Sequence, residues 1–127
     1  LRATGSVRAL VVHGEGGLDE LTTTGSSRLL SLEDGEIVEA IVDPAALGLT
    51  PVSADDLAGG DAADNARIAR SVLSGERGPA RDIVVLNAAA GLVAAGAAPD
   101  LATGVPMAAA AIDDGRAEAK LRVLAEG

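Results

Sequence analysis

No aromatic side chain and no cysteine occurs in these 127 residues. Without rings, the core must be packed from Leu, Val, Ile and Ala, which bury less area per side chain. Without cysteine, disulfides, thiolate metal centres and cysteine nucleophiles are excluded. Lysine occurs once, at Lys120, and histidine once, at His13. A lone histidine with no Ser or Cys partner in a motif does not support a triad hydrolase. Basic charge is scarce: 10 Lys and Arg stand against 19 Asp and Glu, for a formal net charge of -9. That balance argues against a nucleic-acid partner, which requires a basic face. It slightly favours cations. No uninterrupted apolar stretch is long enough to span a membrane; the run Ala88 to Ala98 is short and is broken by Gly91 and Gly96. The N-terminus has no charged region followed by an apolar block and a cleavage site, so no signal peptide is expected. The lack of cysteine is compatible with a cytoplasmic location.

What is present suits one domain with a real core. The most informative segment is His13-Gly14-Glu15-Gly16-Gly17-Leu18-Asp19-Glu20. It follows the apolar run Val7 to Val12, which reads as a buried strand. Because that run is apolar on both faces, the strand is expected to be interior and parallel. Open α/β proteins place ligands where a strand feeds a Gly-rich loop. The loop ends in adjacent carboxylates, Asp19 and Glu20, and hard cations such as Mg²⁺ prefer such oxygens. A solvated loop, with Asp19 capping a short turn, explains the same residues. Gly14, Gly16 and Gly17 permit positive φ angles or close approach to a ligand; a tight turn is the simpler alternative. The spacing is not a Rossmann fingerprint, and no lysine follows the glycines as a Walker loop requires.

The remaining elements follow from pattern and punctuation. Ser27 to Leu32 and Glu36 to Asp43 read as strands joined at Glu33-Asp34-Gly35, a hairpin signal. In the second arm Val38, Ala40 and Val42 share one face, while Ile37, Glu39 and Ile41 share the other. Ser53 opens a short helix with Asp56 completing a capping box. Asp61 caps a second helix to about Ser74, where Gly75 ends it. A third, from about Ala80 to Ala95, is apolar nearly all round, with Pro79 at its first position. A last helix is expected from Thr103 and Gly104, with Pro106 in its first turn. Met107, Ala111, Leu121 and Leu124 would form its inward stripe, and Gly115 would weaken its middle. Asp61 and Asn65 are explained by a cap and a hydrogen bond, and Asn87 in an apolar helix by a structural bridge. Thr22, Thr23 and Thr24 read as strand or loop residues.

Several of these segments, in order, resemble anthranilate phosphoribosyltransferase. They are Val11-Val12-His13-Gly14 with Gly17-Leu18-Asp19-Glu20, then Gly59-Gly60-Asp61-Ala62 with Asn65-Ala66, then Leu73-Ser74-Gly75 and Gly78-Pro79. Arg81-Asp82-Ile83-Val84-Val85-Leu86-Asn87-Ala88-Ala89 and Ala111-Ile112-Asp113 complete the set. Family members are much longer. The family's G-T-G-G-D phosphate loop, its K-H-G-N segment and its R-T-x-F-N segment are absent here. Those absences, together with a first residue that is Leu, point to a fragment or isolated subdomain.

The resemblance implies an α/β fold: a partial C-terminal α/β domain of the anthranilate phosphoribosyltransferase or nucleoside phosphorylase-like fold, spanning residues 1–127. It implies a small mixed sheet, one interior strand plus a hairpin, packed with three to four helices. The implied reaction transfers a phosphoribosyl group from phosphoribosyl pyrophosphate (PRPP) to anthranilate, in tryptophan biosynthesis. Asp19 and Glu20 are then Mg²⁺ ligands, and His13, Gly14, Gly16 and Gly17 lie near the substrate. No residue is assigned a catalytic role, and the chain alone is expected to be inactive without the missing N-terminal part. Its first strand would leave an edge unpaired, which invites self-association. Two alternatives are a related nucleoside phosphorylase-like domain and a non-enzymatic module acting in assembly or regulation. Binding of Mg²⁺ with PRPP would separate them.

Overall fold

The computed structural model describes residues 1–126. Three strands, β1 (Arg8–Gly14), β2 (Ser27–Glu33) and β3 (Glu36–Val42), form one sheet in the order β1-β2-β3. Four helices follow: α1 (Ala62–Leu73), α2 (Pro79–Ala94), α3 (Leu101–Asp113) and α4 (Arg116–Glu126). The expected α/β class and the small sheet with helical cover are both present.

The β2–β3 hairpin forms as its Asp-Gly signal requires. Asp34 and Gly35 have φ of 49° and 81°. Positive φ at both central residues matches the twist of the flanking strands. Ser27 pairs with Val42 at one end and Glu33 with Glu36 at the other.

The first strand differs from expectation. It runs antiparallel to β2, with Gly14 opposite Ser27 and Arg8 opposite Glu33, so the sheet is antiparallel throughout and not the mixed sheet expected. It lies at the sheet edge, not in the interior. The connection from Gly14 to Ser27 contains no helix, so it serves an antiparallel neighbour and not a parallel crossover. The apolar run concealed the alternation. Leu10 and Val12 pack on the core, whereas Val11 is 50% exposed on the opposite face. Ile37 and Ile41 are exposed on β3, so the outer side of the sheet shows apolar side chains among its polar ones, although Leu32 on the same face is buried.

Helix α2 is the centre of the molecule. One cluster packs Leu86 against Leu21, Leu29 and Val42 of the sheet side. A second packs Val85 against Val72 of α1 and Ala108 and Ile112 of α3. Leu86 and Ala89 are fully buried. Helices α2 and α3 approach closely because Gly104 has no side chain: a Cβ there would stand 3.0 Å from the Cβ and carbonyl oxygen of Ala89.

Caps fall largely where the sequence puts them. Ser53 and Asp56 form a reciprocal capping box on the turn Ala54–Leu57. The Asp61 carboxylate accepts from the N–H groups of Ala63 and Asp64, and Pro79 opens α2. The expected last helix is instead two. Asp100 caps α3, accepting from the Thr103 N–H at 2.7 Å, so α3 starts before Thr103. Pro106 therefore lies inside α3 and not in its first turn. The buried stripe is Gly104, Ala108 and Ile112. Met107 (39%) and Leu124 (79%) are exposed. The small Gly104 and Ala108 allow the close α2 crossing that a stripe starting at Met107 would prevent.

Gly115 separates α3 from α4, with φ of 74°, and its N–H donates to the Ile112 carbonyl at 2.9 Å. A glycine within a helix would gain about 1 kcal/mol of stability on replacement by alanine. At this left-handed position Gly115→Ala should instead destabilise by about 1 kcal/mol. Urea unfolding of the two chains distinguishes the signs.

Candidate functional site: an acidic loop fastened at both ends

The chain leaves β1 and doubles back on it. Gly16 and Gly17 have φ of 82° and 90°, a region that L side chains avoid. Gly14 serves a different purpose. A Cβ there would stand 2.7 Å from the Glu20 carbonyl oxygen, with the Leu18 and Thr22 Cβ atoms at 3.1 and 3.2 Å. Its N–H donates to the Leu18 carbonyl at 2.9 Å. The loop therefore lies against the strand end, and Asp19 and Glu20 follow directly from the Leu18 contact.

The far side of the acid pair is held by α2. Asn87 Oδ1 accepts from the Leu21 N–H at 2.9 Å, and Asn87 Nδ2 donates to the Leu21 carbonyl at 2.8 Å. The same Nδ2 donates to the Ile83 carbonyl at 3.0 Å. Leu21 itself is fully buried in the sheet-side core. Beyond it, the Thr22 N–H donates to Ser27 Oγ at 3.0 Å. Thr22 and Thr24 share a hydroxyl contact at 2.8 Å. Thr22 and Thr23 are completely buried, so the segment after the acids is core, not free loop.

Between these fastenings the side chains of Asp19 and Glu20 are exposed. Ion pairs among the described residues engage other acids: Glu33, Glu39, Asp64, Asp113, Asp114 and Glu118. Glu20 lines an open cavity of about 350 Å³ together with Glu15, Gly16, Thr24 and Ile83. Asp19 is not on that wall. Glu15 is occupied separately, accepting from the Ser26 N–H at 3.1 Å. A larger cavity of about 500 Å³ lies away from the acids, between α1 and the start of α2.

His13 is exposed. It alternates with Gly14 along β1, so it faces the outer side of the sheet. Its cross-strand partner is Arg28, which is ion-paired with Glu39 at 2.8 Å. Asn65 closes on Gly60 through two bonds, both at 3.0 Å, and with Asp61 it serves the start of α1. The structure thus gathers Gly14, Gly16, Gly17, Asp19 and Glu20 in one loop and turns His13 away from the helices.

No cluster of three or more metal-ligating side chains occurs among the described residues. Neither carboxylate has an ion-pair partner among the described residues, and both are hard oxygen donors of the kind that Mg²⁺ takes in ones or twos beside water and phosphate. They do not make a cage by themselves.

One interaction has no counterpart in the sequence pattern. Arg81 is buried, with its side chain 4% exposed, and forms a two-bond fork to Asp113 at 2.8 and 3.1 Å. Arg77 adds a weaker approach to Asp113 at 4.0 Å. These positive groups, led by the Arg81 hydrogen bonds, hold the Asp113 carboxyl below its ordinary range despite some desolvation. An arginine in the first turn of an apolar helix was the available signal. Its partner, on another helix, was not readable.

The chain belongs to the glycosyl transferase family, a/b domain, whose pattern matches residues 1–118. The relatives it resembles are anthranilate phosphoribosyltransferases. The enzyme of Moorella thermoacetica is 52% identical over 120 residues, covering 94% of this chain and 35% of the relative. That of Geotalea uraniireducens is 51% identical over 124 residues, covering 98% and 35%. Among solved structures, the Thermus thermophilus anthranilate phosphoribosyltransferase has a TM-score of 0.81 at 40% identity, over 91% of this chain and 34% of that one. The Saccharomyces cerevisiae protein in complex with PRPP and Mg has a TM-score of 0.80 at 24% identity, over 89% of this chain and 33% of that one, which speaks to the fold alone. The chain spans about a third of the length of the relatives it matches.

Proposed function

We propose that residues 1–127 are the C-terminal portion of the α/β domain of an anthranilate phosphoribosyltransferase, acting in tryptophan biosynthesis in the cytoplasm. The observation that carries this reading is the pair Asp19 and Glu20, exposed and without an ion-pair partner among the described residues, in a loop fixed on both sides. The high identity to anthranilate phosphoribosyltransferases supports it.

In this reading Asp19 and Glu20 would hold Mg²⁺ for the pyrophosphate group of PRPP. Bound there, the ion supplies neutralisation of charge on the departing diphosphate. The chain's own part is positional. Gly16 and Gly17 give the bend that keeps side chains away from the donor, and Gly14 lets the acid segment rest on β1. His13, although at the end of the same strand, faces the other side of the sheet and takes no part in this reading. Neither acid acts as a proton shuttle. The anthranilate site and most of the PRPP site belong to the rest of the longer protein. The open β1 edge is where that remainder, or a second copy of the chain, adds. Alone, the chain is expected to show no measurable transfer activity.

A chimaera tests this. Residues 1–118 replace the matching third of the Moorella thermoacetica enzyme, and formation of phosphoribosyl anthranilate is followed. The chimaera is expected to turn over, and the double substitution Asp19→Ala, Glu20→Ala to lower its rate at least about tenfold at fixed Mg²⁺. A folded chimaera without turnover, or one indifferent to the double substitution, overturns the proposal.

A further inference from the structure

We infer that Asn87 is a positioning residue for the acid pair, acting through the main chain of Leu21; the inference rests on the Mg²⁺-binding reading of Asp19 and Glu20. A carboxamide carries an acceptor and a donor side by side, so it can satisfy both the N–H and the carbonyl of one residue. Asn87 does this with Leu21, at 2.9 and 2.8 Å. The third bond, to the Ile83 carbonyl one turn earlier in α2, fixes the amide plane against its own helix. Leu21 is thereby held at both polar atoms and along its buried side chain.

Leu21 directly follows Glu20, and Leu18 directly precedes Asp19. The Leu18 carbonyl is held by the Gly14 N–H at 2.9 Å, and the Glu20 carbonyl is packed against Gly14. Two residues bracketed this way have little main-chain freedom. Their side chains are exposed, so the geometry at which they meet a cation is set by the bracket. Preorganised ligands bind more tightly because the ordering cost is met on folding. Supporting residues that orient metal ligands commonly alter affinity by about tenfold or more when removed. Asn87 touches neither acid nor substrate, so its effect is on where the carboxylates stand.

The test uses the chimaera that carries residues 1–118 in the Moorella thermoacetica enzyme, with Mg²⁺ and inorganic pyrophosphate as probes, read by calorimetry and by amide hydrogen exchange. Asn87→Ala is expected to weaken Mg²⁺–pyrophosphate binding about tenfold and to raise exchange at the Leu21 amide. Val85→Ala destabilises the same helix through the other core cluster without touching Leu21. It is expected to leave the affinity within about twofold, which separates positioning from loss of stability. Equal losses in both variants, or unchanged affinity in a folded Asn87→Ala chain, overturn the role of Asn87. Failure of the underlying reading looks different. In that case Asp19→Ala, Glu20→Ala leaves binding unchanged, whatever Asn87 does.

Discussion

Asp113→Ala should strand the buried Arg81 guanidinium and lower the denaturation midpoint clearly, whereas Arg81→Met should lower it much less. The two substitutions break the same pair, and the asymmetry comes from what each leaves behind. Arg81 is 4% exposed and Asp113 is 44% exposed. Removing Asp113 leaves a guanidinium enclosed by α2 and α3 without its acceptor, and Arg77 cannot serve in its place. Removing Arg81 leaves a carboxylate that water can reach, and methionine fills most of the vacated volume. Chemical denaturation of the three chains gives both numbers. Equal losses would mean that Asp113 is as poorly solvated as its partner.

The pair also predicts a pH signature. The Asp113 pKa is lowered in the folded chain, chiefly by the Arg81 hydrogen bonds. Its stabilisation is therefore complete above the ordinary carboxylate range and is lost as pH falls through the depressed value. Asp113→Asn should flatten the acid limb of the stability curve below that ordinary range and leave its slope near neutrality unaltered. Asp56 and Asp100, lowered by their own helix-capping bonds, contribute in the same direction and remain in that variant.

The second large effect is expected at Gly14. Gly14→Val should destabilise the chain by about 3 kcal/mol, at the upper end of ordinary overpacking. The first atom added would stand 2.7 Å from the Glu20 carbonyl oxygen. That oxygen belongs to the main chain, so no flexible side-chain tip can swing aside to relieve the contact. The loop must lift from β1, and with it the bond from the Gly14 N–H to Leu18. Gly16→Ala is a useful contrast, since nothing lies within 4 Å of a Cβ there. It carries only the left-handed backbone cost of about 1–2 kcal/mol. Thermal unfolding ranks the two. A milder loss at Gly14 than at Gly16 would show that the loop does not rest on the strand as described.

Much of this architecture was legible because it is written in local chemistry. The Asp34-Gly35 turn, the Ser53–Asp56 box, the Asp61 cap and Pro79 each act within a few residues of themselves. The acid loop was legible for a similar reason, since its glycines and carboxylates are adjacent in the chain. Errors arose where partners are remote or where apolar residues face solvent. Val11 disguised an edge strand as an interior one, because a strand with an apolar outer face lacks visible alternation. The inward face of α3 was misplaced: sequence favours large side chains such as Met107, while the crossing with Ala89 selects Gly104. Gly115 reads as a weak point inside a helix because nothing local distinguishes that from a left-handed stop. Asn87 was recognisable as a bridge, but not as a bridge to Leu21, 66 positions away.

Val85, Leu86 and Asn87 are consecutive in α2. Val85 packs on α1 and α3, Leu86 on the sheet, and Asn87 on the acid loop. Successive helical residues differ in direction by about 100°, so three neighbouring letters serve three separate destinations. Point changes can injure these one at a time. Insertion or deletion of one residue upstream in the helix would rotate all three off target together, which makes the reading frame of this rod, more than its composition, the quantity that evolution or an engineer must keep.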